Sequence, residues 1–118
     1  MIELAEIRAF VLTLPGVEEG PPVPAARRVA AFKVAGKSFL GVERGLRTMT
    51  VSLGEQEADQ VVAAEPDAYE PIHRAGKGFL GLRVDLSRIS GARARELIER
   101  SWRHCAPRRL AAARDGGE

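Results

Sequence analysis

The sequence is poor in the residues that most often build reactive centres. It has one cysteine and two histidines among 118 residues, so no internal disulfide can form and a reducing compartment is expected. His73, His104 and Cys105 are its soft metal ligands. The last two are neighbours on one predicted helix, about 100° apart, and such neighbours do not converge on one ion. We therefore expect no metal site and no cofactor.

Long apolar runs are also missing. No stretch approaches the roughly 20 apolar residues that span a bilayer. The first residues, MIELAEIRAFVLTLPG, lack the basic start and cleavage site of a secretory signal. We expect a cytoplasmic monomer that does not contact a membrane. Its length predicts a single domain over residues 1–110, followed by a polar, flexible tail over 111–118.

Apolar spacing predicts helices over residues 3–14, over EQEADQVVAAEP and from about Ser90 to Cys105. The segments VAAFKV, SFLGVE, TMTVSL and FLGLRVDL have the composition or alternation of strands, whereas VEEGPPVPAARR is too rich in Pro and Gly for regular structure. The predicted order is α-β-β-β-α-β-β-α. Because the links between strands are too short for parallel crossovers, we expect a two-layer α+β domain with a mainly antiparallel sheet and helices on one face.

Two segments nearly repeat, VAGKSFLGVE at 34–43 and RAGKGFLGLR at 74–83. The first resembles a phosphate-binding loop, but AFKVAGKS lacks the opening glycine and is followed by a strand pattern instead of the required helix. We therefore interpret both as hairpin tips, with Gly36 and Gly76 at the first turn position and Lys37 and Lys77 exposed beside them.

Basic charge is concentrated in residues 73–109, which hold ten Lys or Arg and three Asp or Glu, a net charge of +7. Glu96 and Glu99 precede Arg100 and Arg103 by four residues, which favours surface ion pairs. Six of the other basic residues lack an obvious local acid, apart from Asp85 near Arg83: they are Lys77, Arg83, Arg93, Arg95, Arg108 and Arg109.

Two phenylalanines occupy equivalent positions in the repeat. In simple alternation, Phe39 and Phe79 lie opposite the leucine and valine sets that should face the helices. Alternation thus predicts both on the open sheet face. There they could form a contact surface or merely cover the backbone of the glycine two residues later.

Several stretches together resemble the MmcQ/YjbR family: LPGVEEG, AFKVAGKSFLGV, HRAGKGFLGLRVDL and LIERSWRHCAPRRL, covering about residues 3–110. The resemblance implies a fold similar to CyaY and the secretion chaperones, and DNA binding through a double-wing arrangement. It implies no catalytic residue. Phe79 stands where many members carry a Trp.

Two functions are therefore expected as alternatives. The first is a non-enzymatic domain that binds duplex DNA weakly and in a salt-sensitive manner through Lys37, Lys77, Arg83, Arg108 and Arg109. The second is a protein- or peptide-interaction module that uses the open face with Phe39 and Phe79. An enzyme ranks third because no set of convergent polar groups can be assembled from the sequence.

Overall fold

A computed structural model describes residues 1–116. Its helices are α1 (Leu4–Val11), α2 (Glu55–Ala64), α3 (Gly91–Cys105) and α4 (Arg108–Arg114), with a short 3₁₀ turn at Leu86–Arg88. Its strands are β1 (Val17–Gly20), β2 (Arg28–Val34), β3 (Lys37–Glu43), β4 (Thr48–Val51), β5 (Tyr69–Arg74) and β6 (Gly78–Asp85). The predicted α+β class is confirmed.

The six strands form one antiparallel sheet in the order β1-β2-β3-β4-β6-β5. Register partners share a face, so Leu40, Val51 and Leu82 form one row across its centre. All three are buried in the core cluster. The next row, Gly41, Thr50 and Arg83, lies on the opposite face. The sheet thus has a packed face toward the helices and an open face.

The longest helix, α3, closes the core. Ser90 begins it as an N-cap, with its hydroxyl accepting a hydrogen bond from the Arg93 amide at 3.0 Å. The predicted inner stripe is confirmed, because all six of its members are buried: Ala94, Leu97, Ile98, Ser101, Trp102 and Cys105. Trp102 also donates its indole N–H to the Pro15 carbonyl at 3.0 Å, which ties α3 to the end of the first helical segment.

The segment predicted as a loop after the first helix contains a strand instead. Residues Val17–Gly20 pair with β2, and Glu19 also receives two hydrogen bonds from the Arg8 guanidinium at 2.8 and 3.0 Å. Proline follows this strand without breaking its pairing, since an edge strand needs only one neighbour. Local composition misses such a strand because its pairing comes from β2.

The helices at the two ends of the chain have different boundaries from those predicted. Helix α1 ends at Val11, short of the predicted 14, and α4 continues the chain helically to Arg114. The predicted polar tail over 111–118 therefore begins within a helix. Asp115 accepts hydrogen bonds from Arg103 at 2.6 and 3.2 Å. The last two tail positions, 117 and 118, lie outside the described residues.

Candidate nucleic-acid interface

Both repeat segments form hairpins, and their tips lie at the same end of the sheet. Strands β3 and β6 both run antiparallel to β4, which lies between them, so they run parallel to each other. Each begins at a tip, β3 at Lys37 and β6 just after Lys77. Strands β3 and β6 are two strand spacings apart, about 10 Å. The two lysines therefore lie at the same end of the sheet.

The turn geometry differs from the prediction and between the two copies. In the first, Ala35 and Gly36 are the central residues, with φ of 51° and 80°, so Gly36 is second in the turn and Lys37 is the first strand residue. Two positive φ values are typical of a type I′ turn, which matches strand twist. In the second copy Gly76 follows Ala75, and the Lys77 amide donates to the Arg74 carbonyl at 3.0 Å. That loop is one residue longer.

The C-terminal basic pair reaches the same end through α3. Ser101, one turn before the end of α3, donates its hydroxyl to the carbonyl of Phe39, two residues after Lys37, so α3 ends near the start of β3. Helix α4 then packs beside Gly16, where an added Cβ would lie 2.6 Å from Leu110 Cδ1. Gly16 precedes β1, whose first residue pairs with the last residue of β2 beside the first tip. Arg108 and Arg109 begin α4 at this position.

Tertiary ion pairs neutralise much of the charge over residues 73–109. Arg83 contacts Glu43 at 3.0 Å and Glu70 at 2.7 Å. These two hydrogen bonds raise the pKa of its guanidinium, which stays charged but is committed to carboxylates. Both carboxylates come from other strands, so local spacing, which offered only Asp85 near Arg83, could not reveal them.

Other basic residues of this segment are paired as well. Arg93 contacts Glu96 at 2.9 Å, and Arg95 contacts Glu6 at 3.4 Å. The predicted i,i+4 pairs on α3 are confirmed at 3.0 Å each. Among residues 1–116, six exposed cations toward the tip end of the molecule have no ion pair. We call them the basic end: Lys33, Lys37, Arg74, Lys77, Arg108 and Arg109.

The two phenylalanines do not lie on the open face as alternation predicts. Phe39 is 1% exposed and belongs to the core, while Phe79 is partly buried against that core. A β-bulge explains each case, since the register shifts at Phe39 and again at Leu80. One extra residue reverses the alternation of a strand. Leu80, 39% exposed, lies on the open face instead.

The remaining candidates show no convergent chemistry. His73 is exposed and lies edge-on to Phe79, with ring centroids 5.7 Å apart. Cys105 is buried and its thiol pKa is raised, which disfavours the reactive thiolate. Within residues 1–116 no three acidic, histidine or cysteine side chains are grouped to hold a metal ion. No helix in that range is long and apolar enough to cross a membrane.

Comparison with known proteins gives one match. The model of the YjbR family matches residues 12–104, which run from the end of the first helical segment to the end of α3. A search of the curated proteins found no significant match, and a search of the solved structures found none.

Proposed function

The chain belongs to the YjbR family, and from its basic end we propose that it is a non-enzymatic domain that binds duplex DNA through the phosphate backbone. One observation carries the proposal: two lysine-bearing hairpin tips and the Arg108-Arg109 pair lie toward one end of the sheet, exposed and without ion pairs among the described residues. Phosphate contacts of this kind fix a protein on DNA without reading its sequence.

Arg83 is left out of this interface. Its guanidinium is held by Glu43 and Glu70 on the open face, and a phosphate would have to displace both. The contact set is therefore Lys37, Lys77, Arg108 and Arg109, extended by Lys33 and Arg74.

The test is a salt series of fluorescence-anisotropy titrations on a labelled duplex. Four phosphate contacts predict a slope of about −4 in log K against log salt, and each lost contact lowers its magnitude by about 1. Lys37→Glu/Lys77→Glu should weaken binding strongly. Arg44→Glu/Arg47→Glu is the matched control, because these residues lie in the β3–β4 turn at the opposite end of the sheet and should change affinity little.

Two results would refute the proposal. One is an absence of binding at low ionic strength. The other is equal weakening by the two double variants, which would show that binding depends on overall charge and not on the basic end.

The alternative, a peptide-binding open face, loses its aromatic anchors because Phe39 is buried and Phe79 packs against the core. No observation on the described residues favours it over the basic end.

A further inference from the structure

The open face of the sheet carries a cleft that shares only Arg74 with the proposed DNA contacts. Its volume is about 330 Å³, within the range of small-molecule sites. Strands β3, β4 and β6 form its floor, and its lining includes Arg28, Thr50, Ile72, Leu80 and Gly81.

Two glycines, each ending a Phe-Leu-Gly repeat, leave no side chain at the cleft floor: Gly81 lines the cleft, and Gly41 lies beneath the Arg28 side chain. A Cβ on Gly41 would lie 2.7 Å from Arg28 Nε and 2.9 Å from Thr50 Oγ1. A Cβ on Gly81 would collide with the Val51 carbonyl. Both contacts are closer than a Cβ tolerates, so a side chain at either position would displace the floor or Arg28. The repeat therefore marks both the hairpin tips and the floor of this cleft.

Arg28 supplies an uncompensated cation to the cleft. Its side chain crosses Gly41 and donates to two neutral acceptors, the Val23 carbonyl and Thr50 Oγ1, each at 3.1 Å. A guanidinium has five N–H donors, so about three remain. Partial burial lowers the pKa of Arg28, with the nearby charge of Glu43 opposing this shift, yet no carboxylate of residues 1–116 lies within ion-pair distance of it.

The lining as a whole is positive. It contains four arginines and one carboxylate, Glu43: the arginines are Arg27, Arg28, Arg74 and Arg83. Because Glu43 is already bound to Arg83, the charge of Arg28 remains available to a ligand.

The neighbouring strand provides an apolar surface. Leu80 is 39% exposed on β6 and Ile72 is half-buried on β5. The Arg28 guanidinium reaches Thr50 on β4, which is adjacent to β6. On β6 the residue opposite Thr50 is Arg83, and Leu80 lies three residues further along the strand, so about 10 Å separates the cation from the apolar wall. A ligand matching this arrangement has an anionic group at one end of an extended apolar chain.

We propose that the cleft binds a small organic acid, whose carboxylate is received by Arg28 and Thr50 and whose apolar part lies against Leu80 and Ile72. Arg28 suits this role because its planar fork can bind both oxygens of a carboxylate. Arg74 belongs both to the lining and to the basic end, but the four residues assigned to the ligand do not belong to the basic end, so the inference does not rest on DNA binding.

The test is an NMR titration of the full ¹⁵N-labelled chain with hexanoate, hexan-1-ol and inorganic phosphate. Hexanoate should shift the Gly41 and Gly81 amides and the Arg28 Nε–H saturably, whereas hexanol, which lacks the charge, should bind at least about tenfold more weakly. Arg28→Gln should weaken hexanoate binding by about tenfold or more. Arg109→Gln, which removes the same charge from the basic end, should leave it unchanged.

A second variant tests the apolar part of the site separately. It also keeps the inference testable if Arg28→Gln fails to fold. Leu80→Ser changes an exposed side chain, and it should weaken hexanoate binding while leaving any phosphate binding unchanged. The inference is overturned if hexanoate shifts neither glycine saturably, if Arg28→Gln with native amide dispersion binds as well as the wild type, or if phosphate binds more tightly than hexanoate and Leu80→Ser has no effect.

Discussion

Replacing Ser101 with alanine should destabilise the protein far more than the loss of one hydroxyl suggests. Ser101 is fully buried on α3, and its hydroxyl donates to the Phe39 carbonyl while accepting from the Ser52 amide at 2.8 Å. The residue at 39 is unpaired at the β-bulge, and residue 52 follows the end of β4. Both backbone groups therefore lack a strand partner and depend on this hydroxyl.

The magnitude follows from those two groups. A buried polar group left without a partner costs about 1–3 kcal/mol, so Ser101→Ala should lower the free energy of unfolding by about 2–4 kcal/mol. That loss is a large part of the free energy of unfolding of a typical domain, which is roughly 5–15 kcal/mol. Urea denaturation followed by circular dichroism measures it, and hydrogen exchange should show reduced protection of the Ser52 amide.

The matched control is Ser38→Ala, an exposed serine beside the same bulge, which should change stability by no more than about 0.5 kcal/mol. A loss below about 1 kcal/mol for Ser101→Ala, with an unchanged denaturant slope, would refute the claim that this hydroxyl alone satisfies the two backbone groups.

Two further predictions concern the first helical segment. Trp102→Phe should lower the free energy of unfolding by about 2–3 kcal/mol in urea melts, because it removes both packing volume and the hydrogen bond to the Pro15 carbonyl; a loss under about 0.5 kcal/mol would contradict this. The Arg8 hydrogen bond lowers the pKa of Glu19, so this pair stabilises the fold above the unfolded carboxyl pKa of about 4.3 and loses its effect as pH falls further. Arg8→Gln should therefore cost about 0.5 kcal/mol at pH 7, a value discounted for solvent exposure, and the difference from wild type should shrink toward pH 3; a constant difference in melts across that range would refute it.

Much of the architecture could be predicted from local pattern. The buried stripe of α3 follows from a 3.6-residue period, and all six of its members are buried. Strand alternation likewise identifies Met49, Val51 and the Leu82/Val84 pair as core residues. In contrast, Val17–Gly20 has a weak strand composition and forms a strand only because β2 offers it an edge.

The candidate sites depended more on the fold. Sequence spacing identified Lys37 and Lys77 as hairpin residues, but not that β3 and β6 run parallel and bring both to one end. It placed Phe39 on the wrong face, because the bulge breaks the alternation and places two consecutive side chains, Phe39 and Leu40, in the core. The cleft at Arg28 was missed altogether; its only local signal was the glycine that ends each Phe-Leu-Gly.

Composition and periodicity alone therefore determined the α+β class, the helix faces and the two hairpins, since these depend on interactions among residues close in the chain. Tertiary structure decided which charges remain free and which glycines open a cleft. Arg83 meets Glu43 across 40 residues of sequence, and Arg28 meets Thr50 across 22. Electrostatic partners and concave surfaces arise between strands, where distance along the chain carries no information about distance in space.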